Sequence, residues 1–559
     1  MTAQARHLHT YFLFPFSIDK EAVKLAHPEI WSRKRRWLEG LDEWLANHSP
    51  LEQGGKCCLG SWTRDAYTTF DSDSQAYQDM IFFHPFMRRV FFDIRSDVPS
   101  EEALFRCYSL PNPHNSSLWY EVKDFSGAGM KIEVTDLRLF LFANGIGILS
   151  LGVEARNLPI SRALWINEIF RKIYPSSAEQ VRDGRMPLSL SLTYERGGIH
   201  SVIAEHDFSQ AKMSGVLPPL SSTLTALLYF ADYSSEEFEP VFDARMVVYS
   251  YLEVDKSSVP EDFADSEAYQ VLIGRFLFVD RDGLTHRYSP QFVRRALENQ
   301  LYTRWANEGT YYGFTSYSCV AITLMDRDSD PSDDRRRNIV HKMFDTRYYL
   351  MSLVALFYRA TLLDFAERTA LVSKRLYLDQ WDGELDIEDL RIADGLEAEF
   401  LHFSNHWYFT EVANRDEGIE HFDMQCREYR THSMFEEVAA ELDRLNASLH
   451  NYYQFRNTEA VNRLGMLSMI LGVGAVITGF FGMNFQLGDV SEAVLHSTPQ
   501  NWLPWVAAIV ATVISVGAIL FGVFLVGMNW SDYRDTLMPN RWKAARVRKR
   551  LVKRGAREY

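Results

Sequence analysis

The 559-residue sequence predicts an α/β cytosolic domain followed by a long-helix stalk and two C-terminal transmembrane helices. Three observations carry this. Residues 464–481 and 502–530 form uncharged runs of 18 and 29 residues, against about 20 apolar residues needed to span a bilayer. The segment before the first run has apolar residues at Phe435, Val438, Leu442, Leu445, Leu449 and Tyr452, alternating steps of three and four. Further upstream, short alternating segments with turn residues between them read as strands.

The cytosolic body is expected over 1–335, as one elaborated sheet or two subdomains. Residues 27–48 (HPEIWSRKRRWLEGLDEWLANH) read as an early helix. Residues 137–155 read as a hairpin turning at Asn144-Gly145, the dipeptide that tolerates positive φ at both central positions. MPLSLSLTYE, ARMVVYSYLEV and YQVLIGRFLFVDR read as further strands, and GTYYGFTSYSCVAITLM as another pair. Residues 336–377 read as a long helix; its apolar middle is interrupted by Arg359, which favours a bundle helix over a third span. With a second helix near 390–412 it makes a helical hairpin over 336–415. The turn between them is acidic, with Asp379, Asp382, Glu384, Asp386, Glu388 and Asp389.

The stalk is expected as one helix over 416–463, because no Pro or Gly falls between Ile419 and Arg463. Its narrow seam requires partner helices, either from its own chain or from other copies around an axis. Transmembrane helix 1 follows at 464–484, an external loop at 485–501, transmembrane helix 2 at 502–530 and a basic tail at 531–559. The loop has no Lys or Arg and carries Asp489 and Glu492, whereas Arg456 and Arg463 precede the first span. The positive-inside rule then places both termini in the cytoplasm of a multi-pass protein of the plasma (inner) membrane.

The net charge of −15 is unevenly placed: the last 29 residues hold ten Lys/Arg and three acids. An acidic body argues against a nucleic-acid partner. Five cysteines, two of them adjacent (Cys57, Cys58), fit a reducing compartment without a disulfide framework. The first residues lack a full apolar region and a small-residue cleavage site, so no secretory signal is expected. The acidic run 326–337 fails as a calcium loop, with Pro331 at the sixth position and Arg337 at the twelfth. His84 reads as a packed strand-end residue. No Walker A loop, HExxH or GxSxG occurs, so the chain is expected not to be an enzyme and to hold no organic cofactor.

The first span closes on Gly482-Met483-Asn484, followed by Phe485, a short loop, a second span and a basic end. This arrangement resembles the CorA-type superfamily of two-transmembrane, GMN-motif divalent metal ion transporters. The resemblance covers roughly residue 419 to the C-terminus, so the chain looks like a divergent member with an enlarged N-terminal region and a CorA-like funnel. It implies a homopentamer in the lipid bilayer with the first span lining the pore, and Gly482, Met483 and Asn484 at the pore mouth. It implies Mg²⁺ as transported and regulatory ion, with Asn484 holding the hydrated ion and regulatory carboxylates that remain unassigned. Val461 and Leu464 match the family's apolar constriction rings. The sequence departs from the family at Leu471-Gly472-Val473-Gly474, where a proline is common, and in the loop, where Asp489 and Glu492 stand in place of a richer acidic motif.

The chemistry suits those residue types. Mg²⁺ dehydrates reluctantly, so neutral oxygens that bind its water shell admit it without trapping it. The expected function is passive Mg²⁺ influx driven by the membrane potential and gated by cytosolic Mg²⁺. Two alternatives stay open: Zn²⁺, Co²⁺ or Ni²⁺ transport on the same fold, and a ligand-gated signalling or stress effector built on a CorA-like pore.

Overall fold

A computed structural model describes residues 3–28, 37–48, 61–65, 75–92, 105–110, 116–124, 129–174, 178–196, 198–209, 219–233, 237–242, 245–259, 266–281, 288–325, 339–382 and 387–482, with helical positions between 506 and 524. Cys57, Cys58, the acidic run 326–337, Glu384 and Asp386 of the acidic turn, and the basic tail lie outside the described residues.

One 13-stranded sheet organises the N-terminal region. Its strands are β1 (Gln4–Ile18), β2 (Thr63–Arg64), β3 (Phe105–Ser109), β4 (Ser116–Lys123), β5 (Gly129–Phe142), β6 (Ile146–Pro159), β7 (Ser189–Arg196), β8 (Ile199–Asp207), β9 (Phe238–Pro240), β10 (Val247–Asp255), β11 (Leu301–Tyr302), β12 (Thr310–Thr315) and β13 (Ser318–Met325). The main order is β11-β12-β13-β10-β1-β6-β5-β4-β7-β8. Among the described residues the β10–β13 pair is parallel and the other pairs are antiparallel. The expected hairpin is β5–β6, with Gly145 at φ 102 in its turn. The long β5 forks: Gly129–Glu133 pairs with β4, and Arg138–Phe142 with β3.

Strand periodicity gives β1 two working faces. Leu8, Phe12, Phe14 and Phe16 enter the main core. The helix Ile160–Phe170 covers that side with Ile160, Ala163, Leu164, Ile166, Ile169 and Phe170. Thr10 shares this face and is fully buried, so its hydroxyl needs partners. It lies 2.8 Å from Asn167 Oδ1 and 2.6 Å from Ser250 Oγ, and Asn167 Nδ2 donates to Ser250 at 2.9 Å. His7, His9 and Tyr11 point to the other face.

The helix starting at Ile339 and running through Tyr349–Asp382 covers that second face. It is long and apolar enough to span a membrane, yet 72% of its apolar window is buried inside the protein, as a bundle helix requires. A π-helical turn at Phe344–Tyr348 starts it, and Tyr249 Oη donates to the Phe344 carbonyl at 2.6 Å. Tyr349 Oη donates to Ser150 Oγ at 2.7 Å. Arg359 donates to the Ser316 carbonyl, and its guanidinium lies over Phe242, Tyr317 and Tyr429 at 4.6, 5.3 and 5.1 Å. An arginine held by three rings and a carbonyl carries its own polar setting into the packed face.

Three expectations are corrected. YQVLIGRFLFVDR is the helix Glu267–Phe278 rather than a strand. Ser266 caps it by accepting from the Tyr269 N–H, and Tyr269, Leu272, Ile273, Phe276 and Leu277 bury one face at helical spacing. The single stalk helix expected over 416–463 is two helices, Asp416–Tyr429 and Thr431–Gly482. Arg430 separates them at φ 57, a left-handed C-cap without the usual glycine. His84 stands at the N-cap of the helix Pro85–Phe91, with Nε2 2.9 Å from Glu411.

The helix Asp416–Tyr429 packs His421 among Tyr302, Tyr312, Phe314 and Tyr348, with ring centroids at 4.6, 4.5, 5.3 and 4.4 Å. Burial drives the imidazole pKa down to about 3. The folded protein keeps this histidine neutral, while the unfolded chain takes a proton below its ordinary pKa of about 6.5. Stability conferred by the neutral imidazole is therefore present above that value and lost as pH falls toward 3. His421→Leu is expected to flatten the pH dependence of the unfolding free energy by about 1.36 kcal/mol per pH unit below pH 6.5. Denaturant melts of the full chain in detergent at pH 7, 5.5 and 4.5 measure this, and parallel pH profiles for the two proteins would refute it.

The chain divides into two compact units, 1–367 with 399–438 and 368–398 with 439–559. In the first, Phe435 packs against Phe400 at 5.3 Å and Tyr408 at 4.6 Å. In the second, Leu445, Leu449 and Tyr452 line a groove of about 410 Å³ with Thr369, Ser373 and Leu376, and Asn446 donates to Glu397 at 2.8 Å. Val438, Leu442 and Leu449 are buried. Part of the heptad seam therefore packs within the chain.

Candidate functional site

The helix Thr431–Gly482 runs from packed to bare. Its last charged pair before the apolar run is Glu459–Arg463, one turn apart at 2.8 Å, which satisfies both charges locally. Beyond it several large apolar side chains are exposed, although Met466 is buried. Val461 and Leu464, the expected constriction residues, are 64% and 69% exposed, and Leu467 and Leu471 are similarly bare. At Gly465, Gly472, Gly474 and Gly479 an added Cβ would meet nothing within 4 Å in this chain. Among the described residues no Cβ clash demands these glycines, and small residues on a helix allow close approach of lipid or another helix.

The helix is described as far as Gly482. Met483 and Asn484, and the loop acids Asp489 and Glu492, lie outside the described residues. Within the second apolar run, the described positions between 506 and 524 are helical, with Val513, Leu520, Phe521 and Phe524 exposed. Two stretches of apolar helix therefore present exposed large apolar side chains among the described residues. Water disfavours such surface at about 25 cal/mol per Å².

Sequence reasoning missed a polar cluster on the helix-covered face of the sheet. His9 Nδ1 lies 3.0 Å from His341 Nε2, and His7 Nε2 lies 2.5 Å from Glu154 Oε1. Tyr11 donates to Asp345, and Arg138 pairs with Asp136 at 3.0 Å. Burial lowers the His9 pKa to about 4 and raises that of Tyr11. The signal in the sequence is the period-two run His7, His9, Tyr11, which sets three polar rings on one face of a strand otherwise rich in apolar residues.

A sheet domain joined to a long helical arm that ends in bare apolar surface is a two-part protein, whose arm is built to meet something other than water. Residues 412–524 match the family model described as "CorA-like Mg2+ transporter protein". The match leaves the sheet outside it. Two solved structures are similar at 13% identity. The CorA magnesium transporter from Methanocaldococcus jannaschii aligns over 51% of this chain and 91% of its own, at a TM-score of 0.21. The full-length CmaX protein aligns over 52% and 89%, at a TM-score of 0.20. No curated protein matches the chain.

Proposed function

We propose that the chain is a passive divalent cation channel of the CorA type, carrying Mg²⁺ inward and gated by cytosolic Mg²⁺. The observation that supports this most is a coincidence of position. The CorA-type match spans the residues where the long helix turns from packed to bare, and the sequence Gly482-Met483-Asn484 falls at the far end of that apolar stretch. On this reading 464–484 and 502–530 span the plasma (inner) membrane, with both termini cytoplasmic. Copies of the chain, five by family resemblance, surround one pore.

The first helix lines that pore, Val461 and Leu464 close it from the cytosolic side, and Asp489 and Glu492 attract cations at its outer mouth. Asn484 from each copy holds the hydrated ion. Influx needs no nucleotide: a +2 ion crossing 100 mV, inside negative, gains about 4.6 kcal/mol, from about 2.3 per elementary charge.

The test is divalent uptake into proteoliposomes containing the full chain, with Mg²⁺, Zn²⁺ and Co²⁺ compared with and without an imposed potential. Mg²⁺ uptake that rises with an inside-negative potential is expected. Preference for Zn²⁺ or Co²⁺ would keep the channel and change the cargo. Absence of flux for every ion in a correctly assembled protein would sink transport. The large sheet outside the family match then favours an effector whose pore opens on a ligand of that domain.

A further inference from the structure

Three side chains from distant parts of the sequence meet on the helix-covered face of the sheet. His7 comes from β1, Glu154 from β6, and His341 from the helix that begins at Ile339. One ligand atom from each lies within 4.8 Å of the other two. The His7 and His341 rings are 4.8 Å apart between centroids. The ladder fixes the first two residues: in the β1–β6 register His9 stands opposite Glu154 and His7 opposite Arg156, so backbone hydrogen bonds set their spacing. The His7 and Glu154 side chains keep 13% and 26% exposure, which leaves a path from solvent.

We propose that His7, Glu154 and His341 bind one divalent transition-metal ion of the Zn²⁺, Co²⁺ or Ni²⁺ class. Two imidazole nitrogens and one carboxylate oxygen make the three-ligand set that such ions take with a fourth position open to water. Mg²⁺ does not fit, because it demands oxygen ligands in octahedral array. Metal–ligand bonds of about 2.0–2.1 Å put tetrahedral ligand atoms roughly 3.3 Å apart. Closing the widest present gap, at most 4.8 Å, therefore takes side-chain rotations that bring ligand atoms together by about 1.5 Å, without moving the strands.

His9 Nδ1, 3.0 Å from His341 Nε2, is placed to orient that ring as a neighbour to a ligand. Arg156 also reaches Glu154 Oε1, at 3.3 Å, but its side chain is 68% exposed and withdraws into water at little cost. The bound ion ties the first turns of the long helix to two central strands. This site is independent of the transport reading, because it lies wholly in the compact unit that holds the sheet.

The experiment uses the full chain in detergent, stripped with chelator and titrated with Co²⁺. Visible absorption reports the ligand field, elemental analysis the stoichiometry, and thermal melts the stabilisation. One Co²⁺ or Zn²⁺ per chain is expected, with tetrahedral-type absorption, a raised melting temperature and no displacement by millimolar Mg²⁺. His7→Gln and His341→Gln are expected to weaken binding at least tenfold each. His84→Gln, in a His–carboxylate pair elsewhere, leaves it unchanged. Glu154→Gln, nearly isosteric, carries the same test if the histidine variants fail to fold. Undiminished Co²⁺ binding in the variants, or no binding tighter than that of Mg²⁺, overturns the proposal.

Discussion

Asn484→Ala is expected to abolish Mg²⁺ uptake in proteoliposomes while the protein still assembles. In the proposed pore, the amide carbonyl of Asn484 accepts from the water shell of the ion. A hydrogen bond to a charged group contributes roughly 1.5–3 kcal/mol net, and each subunit of an oligomer supplies one. Losing about 1.4 kcal/mol already costs a factor of about ten, so the loss compounds around the ring. Asn484→Asp tests the sign of the argument: a ring of carboxylates holds the ion more tightly and slows its release, so uptake falls while competition by other cations sharpens. Uptake at the wild-type rate in Asn484→Ala would remove this residue from the filter, whatever the fate of the channel reading.

Arg347→Ala carries the largest expected cost to stability. Arg347 Nε lies 3.3 Å from Asp79 Oδ1, and its guanidinium sits 5.0 Å from the Phe82 ring. Both partners are buried. The pair joins the π-helical turn Phe344–Tyr348 to the helix Gln75–Phe82, segments far apart in sequence. Removing Arg347 takes the cation away from the buried Asp79 carboxylate, which typically costs about 3–5 kcal/mol. The double variant Asp79→Ala/Arg347→Ala is expected to recover part of that loss, because no charge is stranded. Denaturant unfolding of the full chain followed by tryptophan fluorescence measures both. A single variant within about 1 kcal/mol of wild type, against an expected loss of about 3–5, would show that water already solvates the pair.

The sheet was legible where local chemistry and tertiary packing agree. Asn144-Gly145 dictates a hairpin turn, and the alternation in β10 and in the β12–β13 pair marks strands whatever lies around them. The helix Glu267–Phe278 was not legible in the same way: a short run of Leu, Ile, Val and Phe suits a buried strand and a buried helix equally, and the Ser266 cap was the deciding residue. The break at Arg430 leaves no compositional mark, since an arginine adopts positive φ there only under the pull of the surrounding packing. The pore end reverses the relation. Gly482-Met483-Asn484 is plain in the sequence, as is the uncharged run before it. The histidine cluster depends on His341 arriving from a helix far along the chain, and no local pattern announces such a meeting.

The position of β1 at the middle of the sheet has a consequence for biogenesis. This strand emerges from the ribosome before its neighbours β6 and β10, which begin only at Ile146 and Val247. At about 5–20 residues per second, roughly ten seconds pass before the first of them exists. Through that interval an aromatic-rich strand waits with both edges unpaired, as holdase chaperones recognise and as aggregation exploits. The sheet's last strand, ending at Met325, is complete well before residue 464 is made. The sheet unit can therefore be folded before the apolar helices are made, and on the proposed channel reading a defect in closing β1 would surface as failed delivery of the whole chain rather than as a faulty pore.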